Sequence, residues 1–275
     1  MKSDRQQATE ESYGFLWGKC REATAVPKWH FDFVQEAFSE PIVMGKRGID
    51  AGSGCGYDTF IMAAKNPGTR ITSIDLSDGV FRTRELTSQL ENVEIIKGSL
   101  IDMPFKDRVY DFAYSYGVLH HTLSPERGLS EIGRILKNGA PAFIYLYEDH
   151  SDNILKYAAV NIVRGVRFFT VKLPPRAIYF LSFVLSPFVF LLFSLPAKAL
   201  GAFKVTRPVA QKFPFNFARG PFSLRGDLYD RLSAPVELRF NKIEIQELFS
   251  SCGFEKVCII KMRDRAGWLA RGYKK

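Results

Sequence analysis

The 275-residue chain predicts an α/β fold, a doubly wound and mostly parallel seven-stranded sheet with a large helical insertion after the fifth strand. Three observations predict it. Short apolar runs alternate regularly with amphipathic stretches of helical period. A glycine-rich turn closes the first run, reading Ile-Asp-Ala-Gly-Ser-Gly-Cys-Gly-Tyr-Asp-Thr from Ile49 to Thr59. A basic, apolar segment of roughly ninety residues then separates the fifth strand from its helix, and a stretch that long in a compact chain has structure of its own.

Gly52, Gly54 and Gly56 lack a Cβ, so the backbone can turn tightly after a strand and approach a ligand closely. A dinucleotide loop needs Gly-x-Gly-x-x-Gly, with its third glycine at position 57; Tyr57 stands there, and the spacing is wrong for NAD. The pattern next predicts a helix over Tyr57 to Lys65, a turn at Asn66-Pro67-Gly68 and a strand from Arg70 to Ile74 that ends in Asp75. Ligands of doubly wound sheets lie across the carboxyl ends of adjacent strands, so a carboxylate there can accept hydrogen bonds from both hydroxyls of a ribose. The competing reading, a helix N-terminal acid, is weakened because Ser77 and Asp78 lie closer to the next helix. Val93 to Lys97 reads as the third strand, Gly98 to Phe105 as a loop and Tyr110 to Ser115 as the fourth strand. Pro125 to Leu136 reads as an amphipathic helix and Ala142 to Leu146 as the fifth strand. Beyond the insertion, Asn241 to Cys252 is a helix with Asn241 as cap and Glu244 three residues on. Lys256 to Lys261 and Trp268 to Tyr273 are the last two strands.

Taken in order, Ile49 to Gly56, Ile74 to Ser77, Gly98 to Phe105, Asp111 to Thr122 and Glu131 to Gly139 resemble the successive motifs of the class I S-adenosylmethionine-dependent methyltransferases. The nearest branch includes the ubiquinone and menaquinone biosynthesis methyltransferases. The resemblance is strong over residues 45 to 148 and weak over 237 to 275. It implies a Rossmann-like fold, S-adenosyl-L-methionine as cofactor, and no metal. By that resemblance the loop of Asp50, Gly52, Gly54 and Gly56 carries the methionine and ribose end of the cofactor, Asp75 the ribose and Leu76 one face of adenine. One position departs: Ser99 stands where the family has an Asp that accepts from the adenine amino group. Serine accepts without charge assistance, so weaker adenine recognition or a backbone contact at Leu100 is expected. Asp102 reads as a loop cap. Tyr13 and Trp17 resemble the aromatic lid that closes on the cofactor in related enzymes; the alternative is an ordinary amphipathic helix.

The chain divides by this reading into an N-terminal helical lid (1–44), a cofactor-binding core (45–150), an insertion or cap (151–235) and a C-terminal part completing the sheet (236–275). A hydrophobic content of 46% supports a packed core. Cys20, Cys55, Cys252 and Cys258 form no Cys-x-x-Cys pair, so neither a zinc site nor a disulfide framework is indicated, and a reducing cytoplasm is expected. The first residues hold no apolar stretch of the signal-peptide kind. The net charge of +9 is localised: residues 151 to 235 hold twelve basic residues and three acidic ones, leaving 26 of each sign elsewhere. Within the same segment Ala177 to Ala197 is uncharged, and at ~1.5 Å per residue it approaches a bilayer span, with Pro187 expected to interrupt it. A single crossing would cut Asn241 to Lys275 off from the sheet they complete, and Lys156, Arg164 and Arg167 deny Ile154 to Val171 the return crossing. Two readings stand. The segment is a soluble helical cap, or a hairpin about Pro174-Pro175 that lies on an anionic membrane, peripheral and salt-sensitive, on the inner face. Nucleic acid is the lesser alternative, because the arginines alternate with aliphatic runs and form no polar basic stripe.

Methyl transfer from a sulfonium needs the acceptor in line with the methyl group and at most one base. In the run Tyr-Gly-Val-Leu-His-His from Tyr116 to His121, the histidines are the titrating candidates besides tyrosines. His120 and Tyr116 are taken as catalytic, with Tyr116 also lining the pocket; His121 is expected to pack or to bond the backbone. Two function classes follow. One is a methyltransferase of a small, lipophilic or lipid-linked acceptor; the other is a non-catalytic cofactor-binding scaffold at the membrane, for which Ser99 and the absence of a decisive base are the hints.

Overall fold

The computed structural model describes residues 4–18, 30–39, 41–43, 45–216, 221–262 and 266–275. Cys20, Arg219 and residues 19–29 of the predicted lid lie outside the described residues.

The chain forms two compact units, one of Met1–Glu148 with Val236–Lys275 and one of Asp149–Pro235. The first opens with α1 (Asp4–Gly18) and α2 (His30–Phe38). Then follow β1 (Arg47–Ala51), α3 (Tyr57–Lys65), β2 (Arg70–Asp75), α4 (Gly79–Leu86), β3 (Val93–Lys97), β4 (Phe112–Tyr116), α5 (Pro125–Ile135) and β5 (Pro141–Leu146). The seven strands, completed by β6 (Phe254–Lys261) and β7 (Trp268–Lys274), lie in the order β3-β2-β1-β4-β5-β7-β6, and β7 runs antiparallel to both neighbours. The order reverses between β1 and β4, which is where a doubly wound sheet opens its ligand crevice. Ala51 pairs with Ile74, so the loops leaving β1 and β2 emerge side by side.

Both faces of the sheet are covered, which is why its strands read as nearly continuous apolar runs; all six residues of β5 are buried. Successive side chains alternate between the faces. In β4, Ala113 joins Ile49, Leu129, Ile132 and Leu248 on one side. Phe112 and Tyr114 join Phe31, Met62 and Phe143 on the other. The termini of the flanking helices follow from local chemistry. Ser124 accepts the Arg127 N–H, with Pro125 at the first helical position of α5. The helix after the second unit, α11 (Lys242–Ser251), closes its capping box: Asn241 accepts from the N–H groups of Ile243 and Glu244, and Glu244 accepts from the Asn241 N–H at 2.8 Å.

The second unit is helical, with α6 (Ile154–Thr170), α7 (Pro175–Val189), α8 (Leu195–Gly201), α9 (Arg207–Ala210) and α10 (Pro221–Ser233). Pro187 does not interrupt α7, contrary to the expectation from composition. The helix continues through it into a π-helical turn, Phe190–Ser194, and on into α8. Proline cannot donate to the carbonyl four residues back, that of Phe183. The Ser186 hydroxyl donates to that carbonyl instead, at 3.0 Å.

Candidate active site

The chain leaves β1 through three residues with positive φ, Gly52 at 91°, Gly54 at 55° and Gly56 at 81°. A Cβ on Gly52 would fall 2.3 Å from the Val118 side chain, and one on Gly54 would fall 2.9 Å from the Trp17 ring. The turn is therefore closed to side chains on both sides. It is tied to the end of β2 by hydrogen bonds from the Gly52 and Ser53 N–H groups to the Ile74 carbonyl.

Asp75 organises this corner. Its Oδ2 accepts from the Gly54 N–H at 2.8 Å, and its Oδ1 accepts from the N–H and hydroxyl of Ser77 at 2.8 and 2.7 Å. Burial pushes its carboxyl above the ordinary carboxylate value, against the pull of the Ser77 and Gly54 hydrogen bonds and the Lys97 charge. Beside it opens a cavity with an empty volume of about 860 Å³, part of it open to solvent. Gly52, Asp75, Leu76, Ser99, Leu100 and Tyr116 all line it. So do Tyr13 and Trp17 of α1, together with Gln6, Thr9 and Glu10 on the same helix. Lys97, at the end of β3, pairs with Glu10 at 3.1 Å and with Asp78 at 2.7 Å, which fastens α1 beside the β-strand ends. Tyr116 is held between two rings, 4.0 Å from His30 and 4.1 Å from Tyr145, both nearly parallel to it.

Four residues expected at the site lie off the cavity wall: Gly54 and Gly56, which shape the turn behind it, and Asp50 and His120. Asp50 is 2% exposed, and its Oδ2 accepts from the Thr59 hydroxyl at 2.6 Å, because its place in β1 turns the side chain into the protein. His120 is fully buried against Tyr147, 3.9 Å between ring centroids, and neither ring nitrogen has a hydrogen-bond partner. Burial holds its imidazole well below the usual histidine value, with His121 and Arg239 adding to the effect, so it stays neutral. The adjacent His121 lines the cavity instead. Its Nδ1 lies 2.8 Å from the Val236 carbonyl, which can only accept, so Nδ1 carries a proton and donates it there. Both histidines sit on the 3₁₀ turn Leu119–His121, whose tight winding sends neighbouring side chains in different directions.

Burial, with Asp58 and Asp75 nearby, pushes the Asp50 carboxyl up to about 8 from an ordinary 3.8, while the Thr59 hydrogen bond opposes the shift. Between those values the unfolded chain has released a proton that the folded protein keeps. The stability this group contributes is thus complete below 3.8 and is lost progressively as the pH rises toward 8. Asp50→Asn keeps the acceptor for Thr59 and is expected to flatten that decline. The gain near pH 8 should be on the order of a few kcal/mol, at ~1.4 kcal/mol per pKa unit. Thermal unfolding of both proteins across the range checks this, and an unchanged slope in the variant would assign the decline to another group.

Residues 49–144 match the protein family described as methyltransferase domain. A demethylmenaquinone methyltransferase of Symbiobacterium thermophilum is 31% identical over 117 residues, 41% of this chain and 45% of that protein. A tRNA (carboxymethyluridine(34)-5-O)-methyltransferase of Saccharomyces cerevisiae is 32% identical over 107 residues, 38% of this chain and 36% of that protein. The chain thus spans less than half the length of these curated relatives. The structure of human N-acetylserotonin methyltransferase in complex with S-adenosylmethionine superimposes with a TM-score of 0.59 at 14% identity, over 99% of this chain and 59% of that one, and so shares the fold. The glycine turn, Asp75 at the next strand end and the cavity between them fit that cofactor in kind: a cradle that a Cβ would fill, with a half-buried acceptor beside it. Residues 49–144 thus form a methyltransferase domain, similar in sequence to that of a demethylmenaquinone methyltransferase and in fold to a methyltransferase whose structure holds S-adenosylmethionine.

Proposed function

We propose that the protein transfers a methyl group from S-adenosyl-L-methionine to a small lipophilic acceptor of the phenol or quinol class. The observation that carries this reading is the composition of the cavity wall. Its charged residues are the acids Glu10 and Asp75, it holds no Lys or Arg among the described residues, and the rest of the wall combines aliphatic side chains such as Leu76, Leu100 and Leu123 and aromatic rings with a few uncharged polar groups, Gln6, Thr9, Ser77, Ser99 and Thr122. A nucleic-acid acceptor needs cations along its phosphates. The similarity to demethylmenaquinone methyltransferases supports the same acceptor class, and the tRNA-modifying relative makes RNA the reading to test against.

When bound, the cofactor supplies an electrophilic methyl group that is already activated. The chain's own residues hold and orient. Asp75 would offer its remaining acceptor capacity to the ribose hydroxyls, Leu76 and Leu100 would give adenine apolar contact, and Ser99 would offer it an uncharged acceptor. Tyr13, Tyr116 and His121 face the acceptor, and Tyr13 lies 5.1 Å from His121 between ring centroids. Nε2 of His121 takes the hydroxyl proton of a phenol or quinol as the ring becomes nucleophilic. This assignment moves the base from His120 to His121, because the His120 ring is sealed from the cavity.

The test is transfer of labelled methyl from S-adenosylmethionine to three acceptors: a prenylated quinol, a short-tailed soluble quinol and unmodified tRNA. Label is expected in the quinols and not in the tRNA; label in tRNA alone overturns the acceptor class, and cofactor binding without transfer to any of them favours a scaffold. His121→Ala should lower kcat by about 10²- to 10⁴-fold with cofactor affinity retained. His120→Phe should change the melting temperature more than kcat. The reverse pattern would return the base to His120.

A further inference from the structure

The second unit wears its polarity inside out. From Asn153 to Gly226 the sequence has no acidic residue and eleven basic ones. Through this stretch runs one apolar helix, Pro175–Gly201, 27 residues long with a mean hydropathy of 2.3 over its apolar 18-residue stretch. A helix on a water-soluble surface turns its serines outward and its large apolar side chains inward. Here the faces are exchanged. Ser182, Ser186 and Ser194 are buried, and each donates its hydroxyl to a backbone carbonyl, those of Ile178, Phe183 and Phe215. Phe180, Phe188, Leu191 and Leu192 stand 57% to 67% exposed on the opposite side. The buried face packs on α10 within the same unit, so the exposed stripe has no cover there.

What covers it is indicated by charge. Lys172 and Arg176 stand at the start of the apolar helix and Lys198, Lys204 and Arg207 at and beyond its end, all exposed. Apolar side chains between two groups of cations, with no carboxylate among them, complement a surface whose interior is hydrocarbon and whose rim is anionic. Lys198 reaches over the Phe190 ring and Lys172 over the Phe168 ring, at 5.2 and 4.9 Å, so their stems follow the apolar surface while the ammonium groups reach its edge. A single crossing by this helix would separate β5, which precedes it, from β7, which follows it, yet the two are hydrogen-bonded neighbours in one sheet; Lys156, Arg164 and Arg167 make α6 a poor return crossing, so the helix is read as lying in the interface.

We infer that the Pro175–Gly201 helix is a monotopic membrane anchor, its Phe and Leu face sunk into the acyl boundary of an anionic bilayer and its flanking cations at the headgroups. This goes beyond the acceptor reading and does not depend on it. It differs in kind from the salt-sensitive surface association expected from the charge count, because the exposed stripe adds an apolar component that salt does not screen. Arg167, which that count included, is 8% exposed and takes no part.

The test is flotation of the full chain with phosphatidylglycerol/phosphatidylcholine vesicles and with phosphatidylcholine alone, each followed by a wash at about 1 M salt, where the screening length is near 3 Å. Wild type is expected to float with the anionic vesicles and to remain largely bound after the wash. The variant Phe180→Ser/Phe188→Ser/Leu191→Ser/Leu192→Ser should bind at least about tenfold less, with the remainder released by salt. The variant Lys172→Glu/Lys198→Glu/Lys204→Glu should lose the preference for anionic vesicles. Unchanged calorimetric affinity for S-adenosylmethionine shows that each variant is folded. Complete release of wild type by salt, or equal retention of the serine variant, overturns the anchor. So does a lipid-free dimer that the serine substitutions abolish, since the face would then belong to a second copy.

Discussion

Asp75→Ala yields a folded protein whose affinity for S-adenosylmethionine falls about 10- to 100-fold, as isothermal titration should show. The expected loss is roughly 1.5 to 3 kcal/mol, the range for hydrogen bonds to a charged acceptor, and each 1.4 kcal/mol is a factor of ten. The carboxylate does two things at once. It takes three hydrogen bonds from Gly54 and Ser77 within the protein, which fixes the turn, and its exposed edge lines the cavity. Alanine removes the ligand acceptor and leaves two backbone N–H groups to find water. Asparagine is no milder: one side of its amide presents N–H where Oδ2 now accepts from Gly54, so two donors meet. Gly54→Val is expected to act by a different route, since its Cβ would fall 2.9 to 3.2 Å from the Trp17 indole and displace α1 from the cavity wall. Unchanged affinity in both variants would remove the cofactor from this corner.

Sequence reveals such a corner because its chemistry is local. Glycines forced to positive φ, an acid at a strand end and a cap three residues before a Glu are each written within a few consecutive positions, and the Asn241–Glu244 capping box closes as the spacing implies. The order of strands and helices is legible for the same reason, since a strand buried on both faces leaves an apolar run. What the sequence leaves hidden depends on direction. Asp50 lies two residues from Gly52, yet its side chain leaves β1 into the core, where Thr59 meets it. His120 and His121 are adjacent and of one type, and only the winding of the 3₁₀ turn decides which reaches the cavity.

Tyr13 and Trp17 of α1 were legible as a lid, but the polar residues of the same helix were hidden for another reason. Gln6, Thr9 and Glu10 come to the cavity through packing on α4 and the Glu10–Lys97 pair, contacts far apart in the chain. In the second unit, composition shows the apolar run and the cations but not which side of the helix faces out. The serines at 182, 186 and 194 recur at helical spacing and could have carried that information, because polar residues on one stripe of an otherwise apolar helix mark a face. Pro187 read as a break because proline usually is one. Ser186, one residue before it, supplies the missing donor through its side chain.

Combined with the proposed acceptor, the anchor makes a second large prediction, on turnover. A prenylated quinol resides in the bilayer, so an enzyme held at the same surface meets it at an effective concentration far above that in bulk water. The four-serine variant at Phe180, Phe188, Leu191 and Leu192 should therefore lose at least about 100-fold in kcat/KM for the vesicle-embedded quinol, the range in which shared localisation acts. A short-tailed quinol dissolved in water should be methylated at the wild-type rate, because every residue that holds the cofactor or faces the acceptor in the first unit is untouched. The two substrates, measured on one preparation, separate the possibilities. Equal loss on both means that the stripe serves folding or the acceptor itself, and full activity on the embedded quinol means that membrane residence does not limit the reaction.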